Sequence, residues 1–159
     1  MAIREITYAY NKHGNPVLGR PYPEETSMSY LKGAVLVQDA TSKELEEGGA
    51  DPTNIGGIAI AAASGTAGTD VPHYVPGGGN VFEGTIDDGT ENGSYALLAT
   101  DIGSSFGLAK TSGGFWYVDK SETSTKSVRV IGAKDEVGAF NARVFFEFLS
   151  SVDILENDS

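Results

Sequence analysis

Residues 141–149 read Asn141-Ala142-Arg143-Val144-Phe145-Phe146-Glu147-Phe148-Leu149, and their alternation decides the fold class. Successive side chains on a strand point to opposite faces, so Val144, Phe146 and Phe148 share one face while Arg143, Phe145 and Glu147 share the other. A face of valine and two phenylalanines is predicted to be core. Working outward, comparable short runs occupy 34–38, 58–62, 81–86, 106–110, 115–120 and 126–131, each closed by clusters of Gly, Ser, Asn or Asp. Short strands at this spacing predict an all-β fold, either a small β-barrel or a jelly-roll-like sandwich. In 115–120, Trp116 and Val118 face one way and Phe115, Tyr117 and Asp119 the other, so the pattern leaves open which aromatic face is inward.

One segment argues for a helix. Thr41-Ser42-Lys43-Glu44-Leu45-Glu46-Glu47-Gly48 has the spacing of a capping box from Thr41 to Glu44 and ends on glycine, which predicts at most two turns, with a loop as the alternative. Elsewhere, 21 glycines in 159 residues, with no three-residue period, predict many tight turns. The chain has no cysteine, which excludes disulfides, thiolate metal sites and a cysteine nucleophile.

Charge divides the chain near Gly33. Residues 1–33 hold four basic and three acidic side chains, whereas the remainder holds seven basic and 19 acidic, so a balance of +1 precedes one of -12. The first segment also carries four of the seven tyrosines, no phenylalanine, and Pro16, Pro21 and Pro23. Each of those prolines removes a donor and biases its predecessor to extended geometry, which excludes a helix there. We therefore expect residues 1–33 to form an extended N-terminal arm, 34–152 a β-barrel domain, and 153–159 a short acidic tail that frays. The arm either lies on a partner or drapes over its own barrel, since tyrosine suits a surface with one packed and one wet side.

The acidic total, -11 overall, opposes nucleic acid and anionic membranes as partners, because no basic surplus replaces phosphate counterions. The longest apolar run, 58–63, is six residues, far short of the roughly 20 that span a bilayer. With no apolar signal core at the start of the sequence, synthesis and retention in a cytoplasm are expected.

Motifs for chemistry are weak. His13 and His73 have no ligand-spaced companions, and no nucleophile elbow surrounds any serine that could join Asp70 and His73 in a triad. Asp87-Asp88-Gly89-Thr90-Glu91-Asn92-Gly93 offers hard oxygens as calcium loops do, yet lacks the EF-hand pattern and reads as a solvated turn. Asp119 and Glu122 could be drawn as a glycosidase pair, but neighbouring acids are expected in an acidic chain. Gly77-Gly78-Gly79-Asn80 opens a strand, whereas phosphate loops need glycines leading into a helix. No catalytic, cofactor or metal residue is predicted, and the chain is expected not to be an enzyme.

Four quoted stretches carry a resemblance. They are 98–108 (Leu98-Ala99-Thr100-Asp101-Ile102-Gly103-Ser104-Ser105-Phe106-Gly107-Leu108), 115–121 (Phe115-Trp116-Tyr117-Val118-Asp119-Lys120-Ser121), 126–132 (Lys126-Ser127-Val128-Arg129-Val130-Ile131-Gly132) and 141–149. With the earlier segments 33–37 and 54–59, this pattern resembles the capsid decoration (cement) and head auxiliary proteins of tailed bacteriophages, over residues 33 to 150. The resemblance implies a small barrel that binds the outer surface of a capsid and stabilises it, often as a homotrimer, with an N-terminal extension reaching over neighbours. The partner it implies is the major capsid protein, and the location the virion exterior. It carries no catalytic residue. Because Tyr and Arg dominate interface hot spots, the capsid-interface candidates are Arg4, Tyr8, Tyr10, Arg20, Tyr22 and Tyr30. Two alternatives stand beside it: a phage tail or baseplate component, and a glycan-binding β module displaying Trp116, Tyr117 or the 87–93 loop.

Overall fold

The computed structural model describes residues 3–153. Its hub is β6 (Asn80–Asp87), eight residues that follow the turn expected at Gly77–Gly79, where Gly78 and Gly79 take φ of 66° and 86°. One edge of β6 pairs antiparallel with β10 (Arg143–Phe148), Phe82 opposite Phe146. The strand also pairs antiparallel with β1 (Thr7–Asn11), Tyr8 opposite Phe82, and then in parallel with β8 (Trp116–Asp119), Ile86 opposite Val118. β10 continues to β9 (Val128–Ala133), β9 to β7 (Ser105–Lys110) and β7 to β8, all antiparallel. The parallel β6–β8 contact thus closes a five-stranded barrel, with β1 added at its side.

The face predicted to be core is core. Val144 and Phe146 are fully buried and Phe148 nearly so. Phe82, Phe146 and Phe148 form an aromatic cluster with ring centroids 5.5–6.0 Å apart. Gly84 makes room for it, since a Cβ there would lie 2.9 Å from the Phe146 ring.

A second sheet of four antiparallel strands runs β3 (Leu45–Glu47), β2 (Val35–Gln38), β4 (Ile55–Ala59) and β5 (His73–Tyr74). Val35, Leu36, Leu45, Ile55 and Ile58 join Phe82, Ile86, Trp116 and Val118 in one continuous hydrophobic core. β8 lies between two packed surfaces, so the choice between its two faces does not arise: Trp116, Tyr117 and Val118 are all buried, while Phe115 before them is 37% exposed. Trp116 donates its indole N–H to Glu47 at 3.2 Å.

Three expectations are corrected. Residues 41–48 form no helix but a turn followed by β3, because Leu45 is drawn fully into the core. Lys43 adopts φ of 62°, outside helical geometry, and Asp39 accepts the backbone N–H groups of Thr41 and Ser42. The boundary at Gly33 does not part an arm from a barrel. β1 belongs to the barrel sheet, and Ile3, Ile6, Glu24 and Tyr30 are buried. The proline stretch is extended as expected, and it touches the rest of the chain through single bridges, Leu18 to Tyr74 and Pro23 to Asp70, since proline cannot sustain a ladder. Asp153, placed in the tail, is buried beside Ile55; residues 154–159 lie outside the described residues. Among the described residues no helix is long and apolar enough to cross a membrane.

Candidate functional site

Residues 7–25 run across the edges of both sheets and bring three of the six interface candidates, Tyr8, Arg20 and Tyr22, to the β5 side, while a bulge in β1 turns Tyr10 to the opposite face. Tyr8 stacks on Tyr74 of β5 at 4.8 Å between centroids, and Tyr10 meets Phe145 edge-on at 6.1 Å. Leu18 bridges to Tyr74 and leads into Gly19, Arg20 and Tyr22, whose ring lies 6.4 Å from that of His73. The result is an aromatic and aliphatic face on which Val17 and Leu18 are 39% and 59% exposed, with Arg20 exposed beside them; Tyr10, 46% exposed, lies apart from it beside Phe145. A cleft of about 180 Å³ opens into it between Val17, Leu18, Arg20, Tyr22, Leu45 and His73.

The strap is held by close backbone approach. Gly19 donates its N–H to the His73 carbonyl at 2.9 Å, and a Cβ at position 19 would fall 1.8 Å from His73 Nε2, so only glycine fits. His73 itself is 2% exposed with Nδ1 bound to the Val71 carbonyl at 2.8 Å. Burial lowers its pKa, outweighing that hydrogen bond, and keeps the ring neutral. The ring therefore packs under the strap as an uncharged group.

The other two candidates fall elsewhere. Tyr30 is in the core, where burial, with the charge and hydrogen bond of Glu24, pushes its hydroxyl up to about 12. Glu24 in turn accepts from Ser64 N, Ser64 Oγ and Gly65 N at 2.8–3.0 Å, pinning that loop. Arg4 is exposed toward the Thr85 end of β6, and its carbonyl accepts from Arg143 Nη1. Arg143 is a surprise: 3% exposed, it also bonds Glu83, Thr85 and Thr7, so it rivets the β1 segment to the barrel.

Sequence reading missed Val17, Leu18 and Tyr74 as members of the face, and Phe145 as the partner of Tyr10 on the opposite side of β1. Val17 and Leu18 could have been found as apolar residues inside a proline-rich stretch that has no inward period. Tyr74 and Phe145 carried no such signal, because their role depends on which edge the strap covers.

Other arrangements serve the fold. Glu122 accepts the N–H groups of Ser124 and Thr125 and so caps a turn instead of facing Asp119 as a second catalytic acid. Tyr95 donates to Asp101, which also pairs with Lys120 at 3.1 Å, tying the 99–101 turn to β8. Among the described residues no three His, Cys, Asp or Glu side chains are placed to hold a metal by themselves.

No family model matches the chain, and no solved structure matches it. One curated relative does. Over 71 residues, 45% of this chain, it is 31% identical to the penicillin-binding protein 1A of Clostridium perfringens. The matched stretch is 9% of that protein, so the chain spans under a tenth of the length of the relative it matches. An overlap of that size assigns no family, and it leaves the exposed strap face as the feature from which function is argued.

Proposed function

We propose that the protein is a non-enzymatic structural component of a tailed-phage virion, binding the outer surface of the capsid through the strap face and stabilising the shell. The observation that carries this reading is the face of exposed Val17, Leu18 and Arg20, backed by the half-buried rings of Tyr8 and Tyr22, on a body that is otherwise strongly acidic. Such a face is depleted of carboxylates and rich in the residue types that anchor interfaces, while the acidic remainder discourages nonspecific contact. The partner is the major capsid protein, and the protein assembles on it as a homotrimer at the virion exterior. A decoration protein adds contact area and no chemistry.

Of the platforms named for the glycan-binding alternative, Trp116 and Tyr117 are buried, which leaves it only the 87–93 loop, exposed over residues 89–92. The test is co-sedimentation with undecorated capsids. Leu18→Asp and Arg20→Ala, at exposed positions, should each weaken binding at least tenfold, from the loss of about 1.4 kcal/mol or more expected at an anchor. Folded variants that bind as the parent does would overturn the reading.

A further inference from the structure

The second sheet has two edges, β3 and β5, and the strap joins them. Beside β5, the Val75 N–H donates to the Val17 carbonyl at 3.1 Å, the Gly19 N–H to the His73 carbonyl at 2.9 Å and the Val71 N–H to the Tyr22 carbonyl at 3.0 Å. Beside β3, the Leu45 N–H donates to the Pro23 carbonyl at 2.8 Å, and the Leu45 carbonyl accepts from Glu25 at 3.1 Å. Residues 17–25 thereby close the four strands into a ring, and the cleft of about 180 Å³ lies between sheet and strap. Leu45, Gln38, Gly56 and His73 line it, one from each strand in sheet order. Backbone bonds at both edges fix its walls, so the cleft is formed before any ligand arrives.

The walls of this cleft are mostly apolar, and its one charge is positive. No side chain from β4 fills it, because that strand contributes Gly56, where a Cβ would lie 2.9 Å from Leu45 Cδ2. Gln38 and His73 each direct a side-chain N–H to a backbone carbonyl, that of Lys43 at 3.1 Å and that of Val71 at 2.8 Å, and so belong to the wall. Arg20, exposed at the opening, is the one charged residue of the lining, in a chain with 11 basic against 22 acidic side chains. Its guanidinium has no ion pair or hydrogen bond among the described residues. An unpaired guanidinium beside apolar walls complements a carboxylate carried on an apolar body.

We propose that the cleft binds a small monocarboxylic acid with a one-ring or short branched apolar body, the body lying between Tyr22, Leu45 and Val75 and the carboxylate meeting Arg20 at the opening. The size follows from the space. An apolar cavity of about 150 Å³ takes up benzene, and this cleft, at about 180 Å³, admits one ring. Both parts of the ligand are needed. An acid without an apolar body gains only an exposed ion pair, which contributes little, and an apolar body without the acid leaves Arg20 unpaired. Half-saturation is expected at roughly 0.1–1 mM, as suits a ligand of about ten heavy atoms. The cleft would hold such an acid whether or not the strap face meets a capsid.

Titrations of the intact, isotope-labelled chain with phenylacetate, followed by amide chemical shifts, test the site. Phenylacetate should move the amides of Gly19, Leu45, Gly56 and Val75 along saturable curves. Phenylacetamide, which keeps the ring and drops the charge, should need about three- to tenfold higher concentration, and acetate should leave those amides unmoved. In Arg20→Gln, at an exposed position, phenylacetate should weaken to the level of phenylacetamide, whose own affinity should not change. Leu18→Ala, also exposed, should weaken both probes alike. No saturable shift at those four amides up to about 10 mM phenylacetate would overturn the site. So would acetate shifts equal to those of phenylacetate, or a preference for phenylacetate over phenylacetamide that survives Arg20→Gln.

Discussion

Arg143 and His73 show how single side chains bind the first 33 residues into the body. Arg143 shares its charge with Glu83 at 2.9 Å, and Lys134 approaches the same carboxylate at 3.1 Å. Burial pushes the Glu83 carboxyl up, but the hydrogen bonds and charges of Arg143 and Lys134 together hold it below its ordinary value. Arg143→Ala leaves Glu83 with Lys134 as its remaining cation and removes a partner from Thr85 and the Arg4 carbonyl, and should cost about 3 kcal/mol in urea denaturation, the low end for breaking a buried pair. His73 makes a prediction about pH. Its folded pKa lies below 6.5, so the unfolded chain binds the proton first as pH falls, and stability declines below pH 6.5 until the folded pKa is passed. Glu46 opposes this. Its carboxyl, hydrogen-bonded to Glu25 and partly desolvated, is pushed up to about 7, so the folded state gains a proton first in the same window. The difference between parent and His73→Gln removes the Glu46 contribution. It should shrink as pH drops from 7 to 5, and a difference constant across that range would contradict the buried neutral imidazole.

At the level of elements, legibility followed how local each cause was. The strands at 81–86, 106–110, 126–131 and 143–149 were readable because period two and flanking turn residues lie within each segment, and all four fall within two residues of β6, β7, β9 and β10. Segment 41–48 misled because its helical signals are local, whereas what places Leu45 is pairing with β2 and the Glu24 bridge. β1 was missed for the converse reason. Thr7-Tyr8-Ala9-Tyr10-Asn11 alternates, but composition drew attention to its tyrosines and not to its period. Of the candidate face, Tyr8, Arg20 and Tyr22 were legible from residue type; which partners the tyrosines would find was not, since Tyr74 and His73 lie 50 or more residues further along the chain. The arm reading and the strand reading differ in a measurable way. Deleting residues 1–33 removes β1, Ile6 and Tyr30 and bares the edge of β6. The truncated chain should lose its cooperative transition and aggregate, whereas a detachable arm would leave a barrel with the parental circular dichroism spectrum and melting midpoint.

For the whole molecule, the charge of -11 acts on stability as well as on partner choice. Most of the 20 Asp and Glu side chains of residues 3–153 lie on the surface and few of them are ion-paired there, with Glu25 beside Glu46 and Asp51 beside Glu122 as like-charged neighbours. Such a chain repels itself more when compact than when extended, because folding shortens the distances between its charges. Monovalent salt screens that repulsion, the Debye length falling from about 30 Å at 0.01 M to about 3 Å at 1 M. Adding NaCl should therefore raise the melting midpoint by several degrees, with most of the gain below about 0.2 M, where the screening length becomes comparable to the spacing of surface carboxylates. The strap face behaves differently. Its contacts are aromatic and aliphatic, with Arg20 the one charged residue on it, and uncharged contacts are not screened, so its association with capsids should change by less than about threefold between 0.1 and 0.5 M NaCl. A capsid affinity that collapsed with salt would locate binding on the charged body and away from residues 7–25.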